Sequence, residues 1–313
     1  MDLIATLRDK IDGLVDGDYK PGLRAVLLHV QTAFRHLSRG QNDNDDTAFT
    51  DAIYRTNQAF EGSVKEAYRV LAGKDPSRKT SFEIEAYLDK NNVFRSRVMK
   101  QFTNYRTDWR NPSTHDYKLD FDSSEALLAI VSVTAFSILL IDSISEHQSF
   151  LKAKEETEPN REEIIRRISV PGQELTESIT RTILEFATSH QPVSGSPRET
   201  ELQVIGALRG FMSTALPNVQ VESEAKLDEE RPFRVDLLVS SPDEKVIVEI
   251  KTRLTSTNYD IAVSRMEQYM THTGIKNAIL LFLPDRPGEL TSEDLRIESI
   301  DGQLTVLKPS GKD

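Results

Sequence analysis

The chain has 313 residues and a formal net charge of −11, and it contains no cysteine. The length exceeds that of a typical single domain and predicts two domains, each able to bury its own core. The lack of cysteine excludes disulfides, thiolate metal sites and a cysteine nucleophile. The negative charge argues against a protein that coats nucleic acid non-specifically, because such binding depends on many Lys and Arg contacts to phosphate.

The apolar stretches do not have the pattern of a membrane protein. The first twenty residues carry charges every few positions and lack a signal-peptide core. The longest apolar run, residues 126–141, is shorter than a membrane span of ~20 residues and contains Ser and Thr. It favours a buried helix. We therefore expect a soluble, cytoplasmic protein with no membrane contact.

The first half of the chain has the apolar spacing of helices. Apolar residues recur every three or four positions over residues 3–14, 23–37, 49–71, 82–88, 93–109 and 126–144. Pro, Gly and polar clusters separate these segments. Ser123 and Ser124, with Glu125 in the first turn, predict the start of the last helix. The pattern predicts an all-helical bundle over residues 1–150.

The middle of the chain has a different composition. Residues 152–163 are charged and nearly free of apolar side chains, which is typical of a solvated connector or of an exposed helix end. Residues 173–189 then have the spacing of one more amphipathic helix. We expect a charged linker and a bridging helix over 151–195, and the spacing does not assign that helix to either neighbouring domain.

From residue 196 the pattern alternates between helix and strand. It predicts helices over 199–216 and 261–271 and strands over 219–224, 233–239, 246–252 and 278–283. The fold class expected for the whole chain is therefore α + α/β, a helical bundle followed by a mixed-sheet α/β domain over 196–313.

The strand predicted at 246–252 carries two charged residues on one face. Because side chains alternate along a strand, Glu249 and Lys251 project together from an otherwise apolar segment. Burying ions there costs several kcal/mol unless they are paired or bind a metal. The preceding strand carries one acid, Asp236. A hairpin between the two strands would let Asp236 and Glu249 offer oxygens to one Mg²⁺.

The order of Asp236, an apolar hairpin and the triplet Glu249-x-Lys251 resembles the PD-(D/E)xK nuclease superfamily over residues 196–283. The resemblance implies a restriction-endonuclease-like fold and a DNA substrate. It implies Mg²⁺ or Mn²⁺ held by Asp236, Glu249 and the carbonyl of Ile250, with Lys251 positioning the attacking water. Val235 stands where the family name has its proline.

Other residues bear on the same resemblance. A Glu-x-Lys triplet alone is not specific, since Glu224 and Lys226 form another one, but no strand-borne acid precedes that copy. The superfamily often adds a glutamate from its first helix. The helical phase places Glu201 on the apolar face and Glu199 on the other side, so Glu201 is the expected catalytic acid. Two residues of the later helix resemble the glutamine that some branches place beside the active site and are expected to bind substrate: Gln268 and Tyr269.

The helical half has a motif of its own in residues 109–118, WRNPSTHDYK. Pro112 biases Asn111 away from helical geometry, so the preceding helix is expected to stop near Arg110. Arg110 and His115 would then flank a helix break. This arrangement, over residues 46–150, resembles the RxxxxH motif of HEPN ribonucleases. Arg106 would extend a positive rim toward RNA.

The HEPN resemblance implies metal-free cleavage of RNA and a homodimer formed through the helical domain. His115 would handle protons while the RNA 2′-hydroxyl attacks its own phosphodiester, and Arg110 would stabilise the phosphorane charge. Asn111 resembles the polar residue usual after the motif arginine. Arg24 and His29 match the same string, but they lie in a continuous helical pattern that separates the two side chains by ~140°.

The sequence leaves three hypotheses open. The first is a dual nuclease that cuts DNA in the C-terminal domain and RNA in the N-terminal domain. The second is a DNA endonuclease whose helical half only dimerises or senses a partner. The third is a nucleic-acid binder in which both sites have decayed. Fusions of the two families resemble antiviral defence or toxin effectors, and we expect this biological role on that resemblance alone.

Overall fold

The computed structural model describes residues 2–91, 93–94, 96–115, 118, 120–190, 199–228, 233–283 and 289–310. They form two compact units, Met1–Ser145 and Glu146–Asp313. The helix-rich first half is followed by a six-stranded mixed sheet among the described residues, so the predicted order of a helical and an α/β half is confirmed.

The first unit is a helical bundle around one apolar core. Phe60 lies at its centre, with its ring centroid 5.4 Å from that of Phe102, 4.7 Å from that of Tyr105 and 5.2 Å from that of Phe136. Such ring pairs contribute about 0.5–1.5 kcal/mol each beyond the burial of their area. The helices are α1 (Leu3–Asp12), α2 (Lys20–Asp43), α3 (Thr47–Leu71), α4 (Ser81–Lys90), α5 (Ser96–Tyr105), α6 (Asn111–His115) and the first part of α7 (Ser123–Thr157).

The start of α7 is fixed by Asp122, one residue before the predicted Ser123. The Asp122 carboxylate accepts hydrogen bonds from the amides of Ser124 and Glu125, and the Glu125 carboxylate accepts one from the Asp122 amide. This reciprocal arrangement is a capping box, and it satisfies amides that have no partner in the helix.

The predicted helix break at Arg110 is wrong. A π-helical turn, Arg106–Arg110, continues α5, and Asn111 keeps helical angles of φ −68° and ψ −48°. The Asn111 amide donates to the carbonyl of Arg106, which widens the turn. The Ser113 hydroxyl donates to the carbonyl of Trp109. The wide turn and this side-chain donor absorb the loss of the Pro112 amide without an extended residue.

Most of the described part of residues 151–195 is helical, so the charged stretch is an exposed helix end rather than a connector without secondary structure. Helix α7 continues to Thr157, and α8 (Arg161–Ile168) and α9 (Leu175–Ser189) follow it. The charged residues occupy outer faces, while apolar side chains of α8 and α9 enter the core of the second unit: Ile164, Ile168, Ile179, Ile183 and Phe186. The bridging helix of the sequence prediction therefore belongs to the second unit, whose boundary lies at Glu146.

The sheet of the second unit has the strand order β1-β2-β3-β4-β6-β5. The first three strands form antiparallel pairs, β3, β4 and β6 are parallel, and β5 is antiparallel to β6. The sequence patterns above do not predict β5 and β6. The strands are β1 (Gln220–Lys226), β2 (Arg234–Ser240), β3 (Lys245–Lys251), β4 (Asn277–Phe282), β5 (Leu290–Ile297) and β6 (Gly302–Pro309).

Helices cover both faces of this sheet. Helices α9 and α10 (Glu201–Ala215) pack on one face, and α11 (Ser256–Thr273) packs on the other. Helix α10 also lies close to the end of α7. A Cβ atom added at Gly206 would lie 2.2 Å from the Glu146 carbonyl oxygen, and one at Gly210 would lie 2.3 Å from that of Phe150. Only glycine permits this approach of the two backbones.

Among the described residues, one helical stretch, Ser123–Ile168, is long and apolar enough to cross a membrane by length and composition. Within its most apolar window, 56% of the residues are buried inside the protein. The core helix of a soluble protein passes the same test, so this is weak evidence for a span. Large apolar side chains remain exposed on α7, among them Leu127, Leu128 and Val131.

Candidate active site

The hairpin of β2 and β3 brings the two predicted acids together. The strands pair from Ser240 opposite Lys245 to Leu237 opposite Val248, and one more step in this register puts Asp236 opposite Glu249. At that step, main-chain amides donate to side-chain carboxylates instead of to main-chain carbonyls. The Asp236 amide donates to Glu249 Oε2 at 3.3 Å, and the Ile250 amide donates to Asp236 Oδ2 at 2.7 Å. Each carboxylate is thus fixed by an amide of the opposite strand.

Lys251 completes the group from the end of the same strand. Its Nζ donates to Glu249 Oε1 at 2.8 Å and to the Ile250 carbonyl at 2.9 Å, and it lies 3.9 Å from Asp236 Oδ2. A single cation is therefore surrounded by the three oxygen-bearing groups that the nuclease resemblance assigns to the metal. The hairpin places positive charge at the point where these oxygens meet.

The surroundings of this group raise the pKa values of both Asp236 and Lys251. Glu249 is only 5% exposed. Burial, followed by repulsion from the Glu249 carboxylate, raises the pKa of Asp236. Burial alone would lower the pKa of Lys251, but the charges of Glu249 and Asp236 outweigh it and the pKa is raised. Two crowded carboxylates sharing one cation make a site with affinity for further positive charge.

The structure brings Glu201 to this site. It is the first residue of α10, whose start is fixed by a capping box between Thr200 and Gln203. Burial raises the pKa of Glu201, Lys251 opposes that rise, and the Glu249 carboxylate adds to it. Glu199 has another role. Its Oε2 lies 2.8 Å from His190 Nε2, and that hydrogen bond is the main cause of its lowered pKa.

The two residues of α11 predicted to bind substrate differ in position. Tyr269 is half-buried, and burial, followed by the charge of the Glu249 carboxylate, raises the pKa of its hydroxyl. Gln268 is exposed to solvent. Sequence reasoning missed Phe233, whose ring lies 5.3 Å from that of Tyr269. Its place just ahead of the Asp236 strand was the available signal.

The donor set fits a hard divalent cation. Within the described ranges, no three or more His, Asp or Glu side chains are grouped as a ready-made metal cage. Magnesium, however, commonly binds through one or two carboxylates and completes its shell with water and substrate phosphate. Asp236, Glu249 and the Ile250 carbonyl offer oxygens of that kind at one point of the hairpin.

No family model matches the chain, and no curated protein or solved structure matches it either. The function is therefore inferred from the geometry of the molecule.

The predicted motif of the helical half carries two guanidinium groups on one π-helical turn. Arg110 donates to Asn111 Oδ1 at 3.1 Å and lies 3.9 Å from Glu61 Oε1. Arg106 lies 3.7 Å from Glu85 Oε2, and its guanidinium stacks over the Phe102 ring. Both positive charges already face a carboxylate, so an incoming phosphate would compete with Glu61 and Glu85.

The other half of this motif is only partly described. His115 is the last residue of α6, and its side chain lies outside the described residues. The turn before it is anchored from α3, because the buried Asn57 amide donates to Ser113 Oγ at 2.8 Å and the Tyr105 hydroxyl donates to Asn57 Oδ1. These contacts fix the backbone that carries Arg110.

Proposed function

We propose that the second unit is a metal-dependent endonuclease that hydrolyses DNA phosphodiester bonds on a restriction-endonuclease-like fold. One observation carries the proposal. On a single hairpin, Lys251 Nζ lies within 3.9 Å of Asp236, Glu249 and the Ile250 carbonyl. A structural ion pair needs only one partner. The half-buried Asp236, the buried Glu249 and a carbonyl around one ammonium supply the oxygen ligands and the cation that metal-assisted hydrolysis of a phosphodiester uses.

Each residue has a defined part in this proposal. Asp236, Glu249 and the Ile250 carbonyl would hold Mg²⁺ or Mn²⁺, which when bound supplies Lewis-acid chemistry and lowers the pKa of water. The Lys251 ammonium would turn from these oxygens toward the scissile phosphate and orient the attacking water. Glu201, at the edge of the pair, would accept a proton from that water. Tyr269 would contact the substrate beside Glu249.

The test is cleavage of supercoiled plasmid and of single-stranded circular DNA, in Mg²⁺ and in EDTA. Cleavage is expected only with Mg²⁺. Asp236→Ala, Glu249→Ala and Lys251→Ala should each abolish it, because too few fixed oxygens or no positioning ammonium remains. Lys245→Ala, an exposed lysine at the other end of β3, is the matched control and should cut normally. Wild-type rates from the double variant Asp236→Ala/Glu249→Ala would overturn the proposal.

We further propose a metal-independent ribonuclease site in the helical unit, acting in a homodimer. Arg106 and Arg110 on one π-helical turn support phosphate binding there, and π-helical turns are frequent at functional sites. The exposed α7 residues Leu127, Leu128 and Val131 support self-association. In one alternative, the helical unit only dimerises or senses a partner. In the other, both sites bind nucleic acid without cutting it. A cytoplasmic role in antiviral defence or as a toxin effector is proposed on the resemblance.

A further inference from the structure

One face of α11 combines a cation with aromatic rings. Arg265, Tyr269 and His272 follow each other at four- and three-residue spacing, which places them on the same side of the helix. Arg265 and His272 are exposed and Tyr269 is half-buried. Together with Phe233 they form a surface that we name the α11 ledge.

Contacts hold the rings of this ledge in place. The Phe233 ring centroid lies 5.3 Å from that of Tyr269, and it lies 5.0 Å from that of His272 in an edge-to-face arrangement. His272 Nε2 is hydrogen-bonded to the Asp228 carboxylate. The imidazole is therefore anchored at one nitrogen, and the ledge is fixed before any ligand arrives.

The ledge is continuous with the acid site. Phe233 comes just before β2, the strand that carries Asp236. Tyr269 interacts electrostatically with the Glu249 carboxylate and with the Arg265 guanidinium. A strand of nucleic acid lying on the ledge would thus lie in the field of the Arg265 guanidinium and close in sequence and fold to the strand that bears Asp236.

We propose that the α11 ledge binds single-stranded DNA by stacking its bases on Tyr269, Phe233 and His272, and that the substrate of the nuclease is single-stranded or strand-separated DNA. Aromatic faces interleaved with a cation are the general means of binding single strands. In an intact duplex the base faces are occupied by neighbouring bases, and exposing one costs a few kcal/mol. The proposed binding of single-stranded DNA does not depend on the nuclease proposal, whereas the proposed substrate of cleavage rests on it.

The experiment measures binding without cleavage. A labelled oligo-dT strand and a duplex of equal length are titrated with the full chain in EDTA, and fluorescence anisotropy is recorded. The wild type should bind the single strand more tightly than the duplex. Tyr269→Leu and Phe233→Leu should each weaken single-strand binding by about 5- to 100-fold. Tyr54→Leu, which removes a ring that is 52% exposed on α3, is the control and should bind as the wild type does.

A further variant distinguishes a direct loss of DNA binding from misfolding of the protein. Arg265→Gln changes an exposed residue and should weaken single-strand binding while reducing its salt dependence. Equal affinity for strand and duplex, or ledge variants that bind like the wild type, would overturn the proposal. If the chain cuts plasmid but gives either of these results, the nuclease proposal stands and the ledge proposal fails. If the chain binds single strands through the ledge but cuts no DNA, the ledge proposal stands and the nuclease proposal fails.

Discussion

The main-chain amide of Ile250 donates a 2.7 Å hydrogen bond to the side chain of Asp236 on the neighbouring strand. At this point a carboxylate, rather than a carbonyl, satisfies a strand amide. The acid is therefore fixed by the sheet itself, and its partner Glu249 accepts the return bond from the Asp236 amide. Preorganised groups of this kind are what a hydrolytic site needs.

The first prediction ranks Glu201, the first residue of α10, against Glu199, which precedes the helix. Glu201→Gln should lower Mg²⁺-dependent DNA cleavage by about tenfold or more, because Glu201 is in the field of Lys251 and Glu249. Glu199→Gln should change it by less than about threefold, since Glu199 is paired with His190. Initial rates at equal protein concentration decide between them, and the opposite order would move the site to Glu199.

The second prediction concerns the helical unit. Arg110→Ala and His115→Ala should each remove EDTA-resistant cleavage of structured RNA and leave DNA cleavage intact, since they remove the proposed phosphate contact and proton transfer of the helical unit. Arg24→Ala is the control from the other RxxxxH string and should have no effect. RNA cleavage that survives both substitutions would reduce this unit to a binding or dimerisation module.

The third prediction tests the homodimer through α7. Leu128 is 56% exposed, and the double change Leu128→Glu/Val131→Glu puts two charges among the exposed apolar side chains of α7. It should convert a dimer to a monomer in light scattering and silence RNA cleavage as fully as His115→Ala. Val15→Glu, at another exposed apolar position, should leave the dimer intact. A monomer that still cuts RNA at the same concentration would contradict a shared site.

The fourth prediction concerns the close packing of α10 on the end of α7. Gly206→Ala should destabilise the second unit by about 1–3 kcal/mol, because the new methyl group meets the fixed carbonyl of Glu146. Gly62→Ala in α3 would place its methyl group 2.9 Å from a Val26 methyl group of the first unit, so any destabilisation it causes should appear in that unit.

Urea unfolding separates the two units in this experiment. The chain has one tryptophan, Trp109, so its fluorescence follows the first unit alone while circular dichroism follows both. Gly206→Ala should shift the dichroism transition and leave the fluorescence transition in place. An unchanged dichroism transition would show that the two backbones are not in close contact.

The fifth prediction compares two acids of α4 across pH. Burial raises the pKa of Glu85 above its ordinary value. Protonation is therefore favoured in the folded state, and the stability it gives is lost as pH rises through the folded pKa. Glu85→Gln should be more stable than the wild type at pH 7, with the difference vanishing below the ordinary pKa of Glu, about 4.3.

Glu83 should show the opposite sign. Hydrogen bonds from Thr80 and Lys79 lower its pKa to about 2. Its stabilisation is present at neutral pH and is lost as pH falls toward 2. Glu83→Gln should therefore be less stable than the wild type at pH 7. Both differences are read from urea unfolding followed by Trp109 fluorescence. A pH-independent difference for both variants would contradict these electrostatic environments.

Features that depend on neighbours along the chain could be predicted from the amino-acid sequence. Helical spacing, the change to alternation after residue 196 and the hairpin of Asp236 with Glu249 are all local, because a short connection fixes the register of two adjacent strands. The same alternation put Lys251 beside Glu249. Helical phase did not separate Glu201 from Glu199, because α10 begins at Glu201 after the Thr200 cap and Glu199 lies ahead of the helix.

Features that depend on packing between distant segments could not be predicted in this way. The helix continues through Pro112 because a π-helical turn and the Ser113 side-chain donor compensate for the missing amide, whereas the usual effect of proline predicts a break. Apolar residues of α8 and α9 joined the core of the second unit because that core buries them, although their charged neighbours suggest a linker. Phe233 and Tyr269 meet because α11 packs on the face of the sheet that bears the acids, and spacing along one chain does not encode that contact.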